Sequence, residues 1–107
     1  MTKIEAVIRV DAVETVIEKL DLIGVSGITK TEVEGHGKQK GIVEQFRGKE
    51  YRLPFIPKIK LEMVVKDLQV DDVINTVINC CQTGEIGDGK IFISEIKDAI
   101  RVRTGER

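Results

Sequence analysis

The chain has 107 residues, enough for one domain with a genuine core and too few for two. Charged residues make up 33% of it, but 17 Lys and Arg against 18 Asp and Glu leave a net charge of −1, so no global field draws it to nucleic acid or to an anionic membrane. There is no bilayer-length apolar run and no basic-then-apolar leader, and the two cysteines are adjacent, poor geometry for a disulfide or a zinc clamp; a reduced cytoplasmic protein is expected.

Ile4, Ala6, Ile8 and Val10 alternate with Glu5, Val7 and Arg9, the period of a strand. Asp11, with Glu14 three residues on, has the pattern of a helix N-cap and its reciprocal acid. Val13, Val16, Ile17 and Leu20 then recur at helical spacing, with Gly24 as the stop. Gly27 to Glu34, β-branched and threonine-rich, reads as a second strand. From Gly35 to Phe55 the periodicity is lost among glycines and basic residues, which predicts a loop of about twenty residues; a loop that long in a compact domain is expected to be functional.

Order returns at Pro57, where Lys58, Lys60, Glu62 and Val64 alternate with Ile59, Leu61, Met63 and Val65 in a third strand. Val70, Val73, Ile74, Val77, Ile78 and Cys81 form a helical stripe, with Asp71 and Asp72 in the first turn, where the helix dipole favours acids. Cys81 falls on that apolar face and Cys80 flanks it, both as small residues of the buried type.

Next comes Thr83-Gly84-Glu85-Ile86-Gly87-Asp88-Gly89-Lys90. Its three glycines permit φ > 0, so successive amides can turn inward around an anion, and Lys90 adds a full positive charge. Alone this is a weak phosphate signal: it matches neither the P-loop nor the dinucleotide fingerprint, and most glycine-rich turns are only turns. Ile91 to Ile96 reads as a fourth strand and Ile100 to Thr104 as a short extended tail.

The order β-α-β, long loop, β-α-β predicts an α+β, ferredoxin-like βαββαβ sandwich. Its antiparallel four-stranded sheet carries both helices on one face, with the long loop between strands 2 and 3. The uncovered face is expected to present Val7, Thr29, Thr31, Val33, Glu62, Val64, Phe92 and Ile96, which is apolar enough to predict self-association.

Five runs carry a family resemblance: Gly37-Lys38-Gln39-Lys40-Gly41; Arg47-Gly48-Lys49-Glu50-Tyr51; Pro57-Lys58; Thr83-Gly84 with Ile86-Gly87-Asp88-Gly89-Lys90-Ile91-Phe92; and Arg101-Val102-Arg103-Thr104-Gly105. In these, from its first strand to its end, the chain resembles the PII signal-transduction proteins of nitrogen metabolism. The resemblance implies one PII-like domain over residues 1–107. Within it, 37–55 is the long partner-binding loop, 82–90 the glycine-rich phosphate loop and 101–107 a basic C-terminal segment. It further implies a cytoplasmic homotrimer with nucleotide clefts between subunits, where ATP and ADP compete and 2-oxoglutarate joins ATP and Mg²⁺.

By position, the nucleotide contacts implied are Val7, Thr29, Gly35, Lys38, Glu62, Val64, Gly87, Asp88, Gly89, Lys90, Arg101 and Arg103. Gln39, Lys58 and Gly87 would serve 2-oxoglutarate, Gln39 through the metal. The long loop would report to an ammonium transporter, to glutamine synthetase or to their regulators, so that membrane contact is only indirect. Tyr51 is the implied partner anchor or target of a uridylyl- or adenylyltransferase. Lys38 stands where many members have arginine, and a lysine cannot make the bidentate fork. Arg52-Leu53-Pro54 departs from a more usual apolar-then-acidic stretch, and His36 reads as a solvated loop residue.

Two other classes compete. RRM-type RNA-binding modules share the element order, but they stack bases on aromatics of the central strands, and the first and third strands here have none. An enzyme needs a nucleophile paired with a base, and no histidine stands near a serine, so no enzymatic role is expected. Within the family, Tyr51 in its Arg-Gly-x-Glu-Tyr setting favours a general nitrogen regulator over one dedicated to nitrogenase.

Overall fold

The computed structural model describes residues 1–36 and 55–107 in full and, between them, the backbone of two short strands. The elements are β1 (Thr2–Ile8), α1 (Val13–Leu22), β2 (Ile28–Gly35), β3 (Val43–Phe46), β4 (Lys49–Arg52), β5 (Ile56–Val65), α2 (Val70–Cys81) and β6 (Gly89–Glu95). Strands β2-β5-β1-β6 form one sheet in that order, every pair antiparallel, while β3 and β4 make a separate hairpin. With both helices on one face, this is the ferredoxin-like arrangement predicted from the sequence.

The period-2 pattern decides which way the sheet faces. Ile4, Ala6 and Ile8 of β1 and Ile59, Leu61, Met63 and Val65 of β5 are all buried, in one cluster with Val13, Val16 and Leu20 of α1 and Val73, Val77 and Cys81 of α2. Each large aliphatic side chain so removed from water contributes about 1.5–3 kcal/mol before entropy is counted. A one-residue slip of β1 against β5 would turn that whole set to the open face, so the register is strongly specified.

Gly24 ends α1 as expected, at φ 90°, with its N–H donating to Asp21 O and that of Val25 to Leu20 O. This is the Schellman closure, sealed by the buried pair Leu20 and Val25. The N-terminal expectation is corrected. A 3-10 turn (Val10–Ala12) precedes α1, no side chain caps it, and the Asp11 carboxylate instead accepts from Arg9 Nε at 3.3 Å. Val10 leaves the strand with that turn and is exposed, not on the core face.

Three further expectations change. The tail from Ile100 to Thr104 is not extended: Gly105 N–H donates to Arg101 O at 2.7 Å, and Arg101 N–H to Glu106 O at 2.7 Å, closing a turn. Strand β6 begins at Gly89 rather than Ile91, so the last two residues of the glycine run belong to the sheet. The stretch from 35 to 55 is not wholly without elements, since β3 pairs Val43↔Arg52 through Phe46↔Lys49 with β4.

The register also amends the open face. Val7, Thr29, Thr31, Val33, Glu62, Val64 and Phe92 do occupy it, but Lys3, Glu5, Lys60 and Lys90 alternate into the same rows. Lys3 Nζ reaches Glu5 at 3.1 Å and Glu62 at 3.2 Å, and Lys60 Nζ reaches Glu62 at 3.1 Å. An apolar list read off the strands therefore understates a paired ionic centre.

Candidate functional site

Direct cross-strand partners share a face, so the strand register locates the expected ligand residues. Val7 stands between Lys60 and Lys90, Glu62 between Thr29 and Glu5, Val64 opposite Lys3, and Lys58 opposite Val33. Val7, Thr29, Lys58, Glu62, Val64 and Lys90 thus lie together on the open face. Gly89 pairs with Ile8 and Gly35 with Ile56, which puts the glycine loop, Gly35 and Lys58 at one end of the sheet. From Lys58 to Glu62 is four residues of strand, about 13 Å. Lys38 and Gln39 lie outside the described residues, as does the side chain of Tyr51.

The loop is built around an internal anion. Asp88 Oδ2 accepts the N–H of Thr83 at 2.7 Å and of Gly84 at 3.0 Å, while Asp88 Oδ1 accepts the Thr83 hydroxyl and Arg9 Nη1, the latter at 2.9 Å. The Thr83 Oγ1 accepts in turn from Glu85 N–H at 3.2 Å. Gly84, Gly87 and Gly89 take φ of 84°, 106° and 122°, the conformations that the glycine spacing predicted. What the first half of the run wraps, however, is the chain's own carboxylate. Hydrogen bonds from Thr83 and Gly84 hold the Asp88 carboxyl below the ordinary carboxylate range, helped by Arg9.

Lys58 ties the other flank. It is buried, and its Nζ donates to Gly87 O at 2.5 Å. A peptide C=O and the following N–H point opposite ways, so this bond turns the Asp88 amide away from β5. The Lys58 stem lies against Gly35, where an added Cβ would meet Lys58 Cγ at 3.5 Å. On the open face, hydrogen bonds from Lys60 and then Lys3 hold the Glu62 carboxyl below its ordinary range.

Arg101 and Arg103 are reached differently. Strand β6 runs from Gly89, beside Ile8, to Glu95, beside Thr2, a span of about 20 Å. The tail therefore departs from the far end, where Ile96 N–H donates to Met1 O at 3.1 Å. No hydrogen bond or ion pair among the described residues joins it to the glycine loop.

Sequence reasoning missed Arg9 and the structural part of Thr83. Alternation put Arg9 off the core face, but only the β1–β6 pairing shows that the end of β1 abuts the loop. The cysteines behave as expected: both are free, Cys81 is buried with its thiol pushed up by burial and by Cys80, and Cys80 is half-buried. Among the described residues no helix is long and apolar enough to cross a membrane, and no group of three His, Cys, Asp or Glu could hold a metal.

Acid should loosen the fold through three paired carboxylates. The Asp88, Asp67 and Glu62 carboxyls all titrate below their ordinary values, Asp67 through Thr2 Oγ1 at 2.7 Å and the amino terminus at 3.2 Å. A depressed native pKa gives stability that is present above the unfolded value and lost as pH falls through the native one. The melting temperature is thus expected to hold down to about pH 5 and to decline below about pH 4. In Asp88→Asn the acid slope should be shallower; an equal slope would show that Asp88 titrates alike folded and unfolded.

The family model described as Nitrogen regulatory protein P-II matches residues 1–106. The Nitrogen regulatory protein P-II of Haemophilus influenzae is 54% identical over 106 residues, 99% of this chain and 95% of that one. Nitrogen regulatory protein P-II 2 of Methanothermobacter thermautotrophicus is 49% identical, covering 99% and 92%. Nitrogen regulatory protein P-II 1 of Escherichia coli K12 is also 49% identical, covering 99% and 95%. The fold is that of a small α+β, ferredoxin-like domain with a glycine-rich loop at one end of its sheet. The chain belongs to the P-II nitrogen regulatory protein family.

Proposed function

We propose that this chain is a nitrogen- and carbon-status regulator without enzymatic activity of its own, acting in the cytoplasm as a homotrimer. It binds ATP or ADP in clefts between subunits, takes 2-oxoglutarate with ATP and Mg²⁺, and controls target proteins through residues 37–55. Family membership supports the regulatory role. The observation that carries the ligand reading is the convergence of Gly87, Gly89, Lys90 and Lys58 at one end of an uncovered sheet face.

Because the Thr83, Gly84 and Glu85 amides are used internally, the phosphate-facing part falls to the amides from 86 to 89 and to the Lys90 ammonium. Asp88 then contributes its backbone and not its carboxylate, which would repel a phosphate. The Glu62 carboxylate keeps acceptor capacity beyond its two lysines and suits a ribose hydroxyl. Since the tail leaves from the far end of β6, Arg101 and Arg103 of a second copy are the better source of further cations, which favours a cleft shared between subunits. Mg²⁺ is held mainly by phosphates and water and needs few protein ligands, so Gln39 would suffice as the assigned one. The central strands β1 and β5 carry no aromatic residue, which weighs against RNA stacking.

Calorimetry with Lys90→Ala tests the nucleotide site. ATP affinity should fall by about 2 kcal/mol, since phosphate charge is left unpaired in a partly dry cleft. The fold should survive because Lys90 is exposed and outside the core. Light scattering on the same sample should give about three times the 12.0 kDa chain mass. Unchanged ATP affinity would leave the loop a mere turn, and a monomer at micromolar concentration would sink the shared cleft.

A further inference from the structure

Arg9 stands just past the end of β1 and reaches three other segments. Its Nε meets Asp11 of the 3-10 turn at 3.3 Å, its Nη1 meets Asp88 of the glycine loop at 2.9 Å, and its Nη2 donates to Cys81 O at 3.4 Å. Cys81 closes α2, and its carbonyl belongs to the helix end that carries partial negative charge. One guanidinium thus separates two acceptors, the Asp88 carboxylate and the end of α2, that would otherwise face each other unfavourably. Only a planar fork bridges both at once; a lysine ammonium on a similar stem reaches one of them well.

Through Asp88 the effect extends to the loop. The carboxylate that Arg9 holds also receives the amides of Thr83 and Gly84, so a swing of the Asp88 side chain releases both. We propose that Arg9 is a positioning residue for the anion cradle: it clamps Asp88, and Asp88 holds the first half of the glycine loop so that residues 86 to 89 present their amides to a phosphate. Arg9 does not itself meet the nucleotide in this scheme. The inference rests on the nucleotide reading above for its consequence, but not for its structural step.

The test uses the full chain, with amide hydrogen exchange and ATP calorimetry on Arg9→Met, Arg9→Lys, Asp88→Asn and the Arg9→Met/Asp88→Asn double variant. In Arg9→Met the Thr83 and Gly84 amides should exchange about ten-fold faster or more, the scale of one lost charge-assisted hydrogen bond. Amides of the β1–β5 ladder such as Ala6 and Leu61 should keep their protection. ATP affinity should fall about ten-fold in parallel and recover in part in Arg9→Lys. On the Asp88→Asn background, Arg9→Met should add little, because its route of action is already gone.

Unchanged Thr83 and Gly84 exchange in Arg9→Met would overturn the clamp. Fully additive losses of ATP affinity would overturn it too, by showing that Arg9 acts on the nucleotide directly. Should Arg9→Met fail to fold, the same two amides in Arg9→Lys and Asp88→Asn decide the matter, with acceleration in both supporting the clamp. If the unaltered chain binds no ATP while the exchange result holds, the nucleotide reading fails and the hold of Arg9 on the loop stands.

Discussion

Gly89→Ala is expected to destabilise the fold by about 3 kcal/mol or more. A Cβ at this position would lie 2.2 Å from Val7 O and 3.2 Å from Ile8 Cα, both backbone atoms of the adjacent strand. Neither can move away without breaking the β1–β6 ladder, in which Gly89 pairs with Ile8 and Lys90 with Val7. The φ of 122° adds a conformational cost that only glycine avoids. Gly84→Ala provides the control: its φ is 84° but nothing lies within 4 Å of the added Cβ, so about 1 kcal/mol of backbone strain is expected. Thermal or urea unfolding of the two variants should differ by about 2 kcal/mol. Equal costs would mean that β6 shifts freely, and that Gly89 is not where the loop is fastened to the sheet.

That contrast also marks how far the sequence could be read. The glycine spacing in Thr83–Lys90 correctly called for positive φ, and the strand alternation correctly sorted Leu61 and Met63 from Lys60 and Glu62, because both are local rules. Close approach is not local. Nothing in the run says that Val7 O lies under Gly89 or that Arg9 sits beside Asp88, since both facts need the pairing of β1 with β6 across some eighty residues of chain. The same limit explains the Asp11 cap: propensity proposed it, but an arginine two residues earlier competed for the carboxylate and a 3-10 turn took up the start of the helix. The tail failed for a related reason, as alternating Ile100, Arg101 and Val102 mimic a strand where, among the described residues, no strand edge receives them. For Lys38, Gln39 and Tyr51 the reading rests on family resemblance alone.

Lys58→Met is expected to abolish 2-oxoglutarate binding while sparing the fold. A dicarboxylate entering beside a triphosphate meets strong like-charge repulsion, so it needs a metal to bridge the two and a cation to face its free carboxylate. In the proposed scheme Lys58 is that cation: its stem is buried against Gly35 and its ammonium is held at the loop, 2.5 Å from Gly87 O. Methionine keeps a similar unbranched apolar stem and removes the charge together with its hydrogen bond to Gly87 O. Losing one partner of a desolvated charge pair costs at least about 2 kcal/mol, or about thirty-fold in affinity. Titrating 2-oxoglutarate into protein saturated with ATP and Mg²⁺ should therefore give a clear binding isotherm for the unaltered chain and none in the same range for Lys58→Met. ATP affinity should fall less than 2-oxoglutarate affinity, because Lys58 bears on the triphosphate only through its bond to Gly87 O, whereas the loop amides and Lys90 are assigned to meet it directly. Without nucleotide, neither protein should bind the oxoacid, since the metal bridge has nothing to stand on. Tight binding to the nucleotide-free chain, or full affinity in Lys58→Met, would remove Lys58 from the site and leave it a structural tie between β5 and the glycine loop.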